Sequence, residues 1–87
     1  MAVVEVFTSP FCGYCHNAKR LLTERGAAVT EIDVLEFPER RDEMVARAGG
    51  RRTVPQVFVD GAHVGGYAEL VALDRAGKLA SLLGAAP

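Results

Sequence analysis

The order of apolar and polar residues predicts two strands and a helix in the first part of the chain. Residues 3–7 are almost continuously apolar and β-branched, which is typical of a short strand buried on both faces. Residues 13–25 place apolar side chains at helical spacing, and Gly26 suits the position just after a helix C-terminus. Residues 28–34 alternate between apolar and polar side chains, as in a second strand. Two strands joined by a helix predict a parallel βαβ unit.

The remainder of the chain predicts a helix, a hairpin and two further helices. The first of these helices starts near Pro38, whose missing N–H is tolerated in a first turn, and ends at Gly49-Gly50. Asp60-Gly61 between two short apolar stretches is a strong signal for a β-hairpin. A third helical stretch then ends at Gly77, and residues 78–83 form a short last helix. The side chains expected on the inner faces of these three helices are Met44, Val45, Ala48, Leu70, Val71, Leu73, Leu79, Leu82 and Leu83.

This element order, β-α-β-α-β-β-α, predicts an α/β fold. Its first two strands are parallel and its last two antiparallel, so the expected sheet is mixed, has four strands and carries helices on both faces. A chain of 87 residues is too short for two hydrophobic cores. We therefore expect one domain over residues 1–87.

Composition and charge narrow the possible functions. A formal charge of −1 with interspersed signs gives no reason to expect nucleic acid, and no apolar run approaches the ~20 residues that a membrane-spanning helix needs. The N-terminus lacks the basic region of a signal peptide, so we expect a cytoplasmic protein. In that reducing compartment a close pair of cysteines is more often catalytic, redox-sensing or metal-binding than a structural disulfide.

The only two cysteines form the motif Cys12-Gly13-Tyr14-Cys15, directly after the first strand. A C-x-x-C next to a βαβ unit is typical of thioredoxin-like redox proteins. The first sulfur would lie at a helix N-terminus, where free N–H groups favour the nucleophilic thiolate. Cys15 would lie deeper, with a higher pKa. Two plain buried cysteines are an alternative; a zinc site is disfavoured because His16 and His63 do not complete a four-ligand set.

Three separated segments of the chain stand out together: Cys12-Gly13-Tyr14-Cys15-His16, Thr53-Val54-Pro55-Gln56-Val57-Phe58 and Gly65-Gly66-Tyr67. In this order the three segments resemble the glutaredoxins, in particular the short bacterial type. The resemblance covers essentially the whole chain and implies a thioredoxin fold. It further implies a glutathione-dependent disulfide oxidoreductase in which Cys12 attacks and Cys15 resolves. The resemblance also implies that the protein is a monomer. Its implied partners are glutathione and proteins that contain disulfides or are glutathionylated.

The resemblance also implies how glutathione binds. Pro55 would follow a cis peptide bond, Val54 would pair its backbone with the cysteinyl part, and Gly65-Gly66 would let helix N–H groups reach the γ-glutamyl carboxylate. Arg51 or Arg52 would meet the glycyl carboxylate. The full set of implied glutathione-binding positions is Tyr14, Arg51, Arg52, Thr53, Val54, Pro55, Gly65, Gly66, Tyr67, Ala68 and Glu69.

Departures from the family pattern keep other functions open. Gly13 stands where many dithiol members have proline, which is compatible with a carrier that shares a [2Fe–2S] cluster between two chains through Cys12 and glutathione. A redoxin served by a flavin reductase is a third possibility, disfavoured by Gly65-Gly66-Tyr67. For the two histidines we expect plain exposed positions, His16 on a helix and His63 on a strand.

Overall fold

Four strands and four helices make up residues 2–84, the part of the chain that the computed structural model describes. Met1 and residues 85–87 of the expected domain lie outside the described residues. In chain order the elements are β1 (Val4–Thr8), α1 (Gly13–Glu24), β2 (Val29–Asp33), α2 (Glu39–Arg47), β3 (Gln56–Val59), β4 (Ala62–Gly65), α3 (Tyr67–Arg75) and α4 (Leu79–Leu82). The predicted element order is confirmed.

The strands form one mixed sheet in the order β2-β1-β3-β4. Strand β1 runs parallel to β2 and antiparallel to β3, which pairs antiparallel with β4. Asp60 and Gly61 turn the hairpin with φ of 51° and 82°, the positive values that a tight two-residue hairpin turn needs. The βαβ unit and the hairpin are therefore both as the sequence predicts.

Alternate residues of the two central strands point to opposite faces of the sheet, and each face is covered by helices. On one face Val4, Val6, Val57 and Val59 pack with side chains of α1, α3 and α4. On the other face Phe7 and Phe58 pack edge to face, 5.5 Å between ring centroids, beneath α2. Two cores separated by one sheet confirm the predicted helices on both faces.

The inner faces of the helices differ from the expectation at a few positions. Leu82 was expected to be internal but is 40% exposed, because Leu79 of the short helix α4 and Leu83 directly after it are buried instead. Val45, Val71 and Leu73 are only partly buried. Within residues 2–84 the longest helix has 12 residues, and none is both long and apolar enough to cross a membrane.

Ion pairs fix the helices against one another and against the sheet. The Arg25 guanidinium at the C-terminus of α1 binds both carboxylate oxygens of Asp74 in α3, at 2.6 and 2.9 Å. On the other face the Arg47 guanidinium lies 4.2 Å from the Phe58 ring centroid and bonds to Glu5 of β1 at 2.7 Å. The Arg25–Asp74 pair bears on the site described below, because it joins α1 to α3. Both helices begin at that site.

Candidate active site

Cys12 occupies the N-cap position of α1. Its backbone is extended, with φ −122° and ψ 107°, and its sulfur accepts the Cys15 N–H at 3.2 Å. This N–H is one of the first-turn donors that have no partner inside the helix. The Cys12 thiol also lies 3.7 Å from the Val54 carbonyl oxygen, to which it donates. The sulfur thus lies where the sequence predicts, at a helix N-terminus.

Cys15 has the opposite environment. It is 1% exposed, and burial, followed by the hydrogen bond with Cys12, raises the pKa of its thiol to about 12. Both cysteines are free thiols, and Cys12 is the partly exposed one. The raised pKa of the Cys15 thiol agrees in direction with the expectation for the deeper cysteine, and Cys12 is the more accessible thiol of the pair.

A cavity of about 350 Å³ lies beside Cys12, between the start of α1, the segment before β3 and the start of α3. Its lining contains nine of the eleven residues that the resemblance implies for glutathione: Tyr14, Arg51, Thr53, Val54, Pro55, Gly66, Tyr67, Ala68 and Glu69. Three segments distant in sequence are brought together here by the sheet, because β1 and β3 are neighbours.

The two aromatic rings and the buried proline form the walls of this cavity. Tyr14 is 65% exposed and stacks on Tyr67, with 5.7 Å between ring centroids. Tyr14 is therefore a wall residue rather than part of the core. The Val54–Pro55 peptide bond is cis, as the resemblance implies, and Pro55 is buried.

Two implied positions do not line the cavity. Arg52 is exposed, and its main-chain carbonyl accepts a hydrogen bond from the Arg41 guanidinium at 2.8 Å. Gly65 is buried with φ of 124°, and a Cβ placed there would lie 2.5 Å from a carboxylate oxygen of Glu69. In the structure, Gly65 thus lets the Glu69 side chain come close to the backbone.

Glu69 and Arg51 meet at the N-terminus of α3. One oxygen of the Glu69 carboxylate accepts the Gly66 N–H at 2.7 Å and the Arg51 guanidinium at 2.6 Å. The Arg51 bond, then the Gly66 bond, hold the pKa of the Glu69 carboxyl below its usual range. The sequence signal for this cap is a Glu three residues after the N-cap, a spacing typical of the capping box.

Comparison with known proteins agrees with this geometry. The family model described as Glutaredoxin matches residues 4–64. Glutaredoxin 3 of Escherichia coli (strain K12) is 46% identical over 83 residues, which cover 95% of this chain and 99% of the relative. The chain belongs to the glutaredoxin family. As a glutaredoxin it is a thiol–disulfide oxidoreductase, and Cys12 and Cys15 lie close together, consistent with a dithiol site.

Solved structures support the same assignment for the fold. The solution structure of glutaredoxin from Brucella melitensis is 49% identical, with a TM-score of 0.82 over 95% of this chain and 89% of that one. A crystal structure of a buckwheat glutaredoxin–glutathione complex is 31% identical, with a TM-score of 0.85 over 95% of this chain and 77% of that one. The predicted thioredoxin fold of this glutaredoxin is confirmed.

The two histidines of this glutaredoxin differ more than their sequence context suggests. His16 is exposed on α1, as expected. His63 is also exposed, but it is not a plain strand residue, because its Nε2 lies 2.7 Å from the side-chain oxygen of the fully buried Gln56. Sequence reasoning missed Gln56, whose only signal was a polar residue at the start of an otherwise apolar strand.

Proposed function

We propose that this glutaredoxin uses glutathione to reduce protein disulfides and glutathione mixed disulfides, with Cys12 as the nucleophile and Cys15 as the resolving thiol. The observation that carries the proposal is the position of the Cys12 sulfur, which is partly exposed, accepts a first-turn N–H at 3.2 Å and lies beside the cavity. A thiolate formed there keeps that donor.

The reaction on a glutathionylated protein has two exchange steps. The Cys12 thiolate attacks the glutathione sulfur, the mixed disulfide breaks, and the partner protein leaves as a thiolate that takes up a proton. The thiolate of a second glutathione then attacks the sulfur of the glutathione held on Cys12. This step releases oxidised glutathione and restores the Cys12 thiolate, so one glutathione thiol is consumed for each protein thiol released.

Protein disulfides use Cys15 as well. Cys12 first forms a mixed disulfide with one protein sulfur, and Cys15 then loses its proton and attacks the Cys12 sulfur. The partner leaves reduced, and a Cys12–Cys15 disulfide remains. The Cys15 main-chain nitrogen already lies 3.2 Å from the Cys12 sulfur, so closure joins neighbouring groups of a single helical turn. Glutathione then reduces this bridge in two exchanges.

We assign glutathione to the cavity beside Cys12. The Val54 backbone takes the cysteinyl part, because its carbonyl already reaches the Cys12 sulfur at 3.7 Å. The Gly66 N–H and Arg51 are the donors for the two carboxylates, and both are now bonded to Glu69, which must give up these contacts. The buckwheat relative solved with glutathione supports this ligand. The remaining contacts are proposed for Tyr14, Arg52, Thr53, Pro55, Gly65, Tyr67, Ala68 and Glu69.

Two single substitutions test the division of roles. Cys12→Ser is expected to abolish turnover of both a glutathionylated peptide and a protein disulfide, since serine cannot replace the reacting sulfur. Cys15→Ser is expected to keep the first activity and lose the second. Equal loss of both activities in Cys15→Ser would contradict the assignment of a resolving role.

The [2Fe–2S] carrier stays a prediction without support from the site. Such a cluster takes four thiolate ligands, so it would need Cys12, the accessible thiol, from each of two chains and the thiolates of two glutathiones. Among residues 2–84, no group of three or more His, Cys, Asp or Glu side chains could hold a metal ion. Anaerobic purification with glutathione tests it: a coloured dimer supports the cluster, and a colourless monomer supports the monomeric enzyme that we propose for the reducing cytoplasm.

A further inference from the structure

The buried side-chain amide of Gln56 connects the cavity to His63 on β4, the neighbouring strand at the edge of the sheet. Gln56 opens β3 with 0% exposure, so each polar atom of its side chain needs a partner inside the protein. Its amide nitrogen donates to the Thr53 carbonyl at 3.0 Å and lies 3.3 Å from the Thr53 hydroxyl. Its amide oxygen lies 2.7 Å from His63 Nε2. The three side chains and the Thr53 backbone form one continuous chain of hydrogen bonds.

The chemistry of these groups fixes the direction of every bond. The Thr53 carbonyl can only accept, so the NH₂ side of the Gln56 amide must face it. The amide oxygen therefore faces His63, and His63 must donate from Nε2. Burial and the positive charge of Arg51 lower the pKa of His63, whereas Glu69 raises it. A neutral His63 consequently has its proton on Nε2 rather than Nδ1.

We propose that His63 is a positioning residue for the glutathione cavity, acting through Gln56 to hold Thr53 and the Val54–Pro55 segment in place. Thr53, Val54 and Pro55 line the cavity, and the Val54 carbonyl lies 3.7 Å from the Cys12 sulfur. His63 itself does not line this cavity but packs against Phe58 at 5.1 Å between ring centroids. The proposal rests on the glutathione-dependent function above for its kinetic consequence, but not for its structural one.

The structural consequence is testable in the protein without glutathione. The chain contains only two histidines, so a ¹⁵N-labelled sample gives two imidazole patterns by two-dimensional NMR. At a pH where both rings are neutral, His63 is expected to show a single Nε2–H tautomer. His16, exposed on α1, is the internal control and is expected to show a mixture of tautomers. An Nδ1–H form at His63, or a mixture like that of His16, overturns the proposal.

The kinetic consequence is tested with His63→Phe, which keeps an aromatic ring against Phe58 but removes the donor to Gln56. The KM for a glutathionylated peptide is expected to rise about tenfold, the size of one lost buried hydrogen bond, while kcat at saturation changes little. The matched control is Ala62→Val, an exposed position on the same strand, with wild-type KM expected. A fall in kcat with KM unchanged overturns the positioning role.

A double-mutant cycle separates action through Gln56 from a direct effect. Gln56→Met removes the amide at similar volume, and His63→Phe combined with Gln56→Met is expected to raise KM no further than Gln56→Met alone. Additive effects overturn the proposal. If Gln56→Met does not fold, the tautomer of His63 and the kcat and KM of His63→Phe still decide the matter. A wild-type protein without glutathione turnover contradicts the proposed function alone, because the tautomer result stands apart from it.

Discussion

Helices α1 and α3 both begin at the cavity, and in each a side chain accepts a main-chain N–H at the helix start. In α1 the acceptor is the Cys12 sulfur, 3.2 Å from the Cys15 nitrogen. In α3 it is the Glu69 carboxylate, 2.7 Å from the Gly66 nitrogen. The same backbone feature thus holds a thiol sulfur at one helix start and a carboxylate charge at the other.

The difference lies in what else reaches each acceptor. The Glu69 carboxylate is held by the Arg51 guanidinium at 2.6 Å, so its charge is compensated within the protein. The Cys12 sulfur has the Val54 carbonyl as its neighbour, an acceptor that cannot compensate a negative charge. The comparison teaches that α3 carries a pre-formed ion pair at its N-terminus, whereas α1 carries a partly exposed thiol without a charged partner among its hydrogen bonds. The predictions below challenge this contrast, first at α1 and then at α3.

The largest expected effect is selective alkylation at the start of α1. Iodoacetamide at pH 8 is expected to modify Cys12 at least about a hundredfold faster than Cys15, because burial and a pKa of about 12 leave Cys15 almost without thiolate. Mass spectrometry of peptides after timed quenching measures both rates. In guanidinium chloride the two rates should converge, and equal rates in the folded protein would refute the contrast between the two thiols.

The second prediction concerns alkaline stability. The pKa of Cys15 rises from its ordinary value of 9.0 to about 12 on folding. The stabilisation that goes with the neutral thiol is therefore complete below pH 9 and is lost as the pH rises from 9 towards 12. When the pH is raised from 8 to 10, the unfolding equilibrium constant increases by a certain factor in each protein. This factor should be about tenfold larger for the wild type than for Cys15→Ala. Denaturant titrations at the two pH values measure this, and identical pH dependence in both proteins would count against it.

The third prediction tests the ion pair at α3 with two neutral variants. Arg51→Gln leaves the Glu69 charge uncompensated beside the cavity, so the KM for glutathione should rise about threefold. Glu69→Gln keeps an oxygen for the Gly66 N–H but frees Arg51, so the KM should fall about threefold. Both shifts should shrink at about 1 M salt, where charges are screened. Shifts in the same direction would show that charge is not the cause.

The smallest expected effect is on the cap itself. Glu69→Ala removes the acceptor for the Gly66 N–H as well as the charge, whereas Glu69→Gln removes the charge alone. The alanine variant should therefore unfold about 4 °C lower than the glutamine variant, as expected for one helix cap. Thermal unfolding followed by circular dichroism measures the difference, and equal midpoints would mean that the carboxylate does not act as a cap.

Local sequence patterns predicted most of the fold. The strong period of two in β2, the Asp60-Gly61 turn and the glycines that end helices all act over a few residues, so they can be recognised without the tertiary structure. Leu82 was assigned wrongly because a helix of one turn has little periodicity, and only its packing shows which leucines face inward.

The site was predictable in its composition but not in its contacts. The motifs of the family predicted that Cys12 and Val54 belong to the same site. Nine of the positions implied for glutathione line the cavity. The Arg51–Glu69 pair and the Gln56–His63 bond were missed because each joins residues on different elements whose distance depends on how α3 and β4 pack. Charges and amides carry no periodic signal that identifies their partners.

The burial of Cys15 has a consequence for how long a reaction intermediate lives. Of the causes that raise its pKa, burial is the largest and persists when Cys12 is held in a mixed disulfide. Under the function proposed above, in which Cys15 is the resolving thiol, this thiol is deprotonated only rarely at neutral pH, and closure of the Cys12–Cys15 bridge is slow relative to an ordinary thiol of the same proximity. In the proposed reaction the depth of one side chain would thus set a dwell time, during which glutathione can arrive and complete the exchange on Cys12.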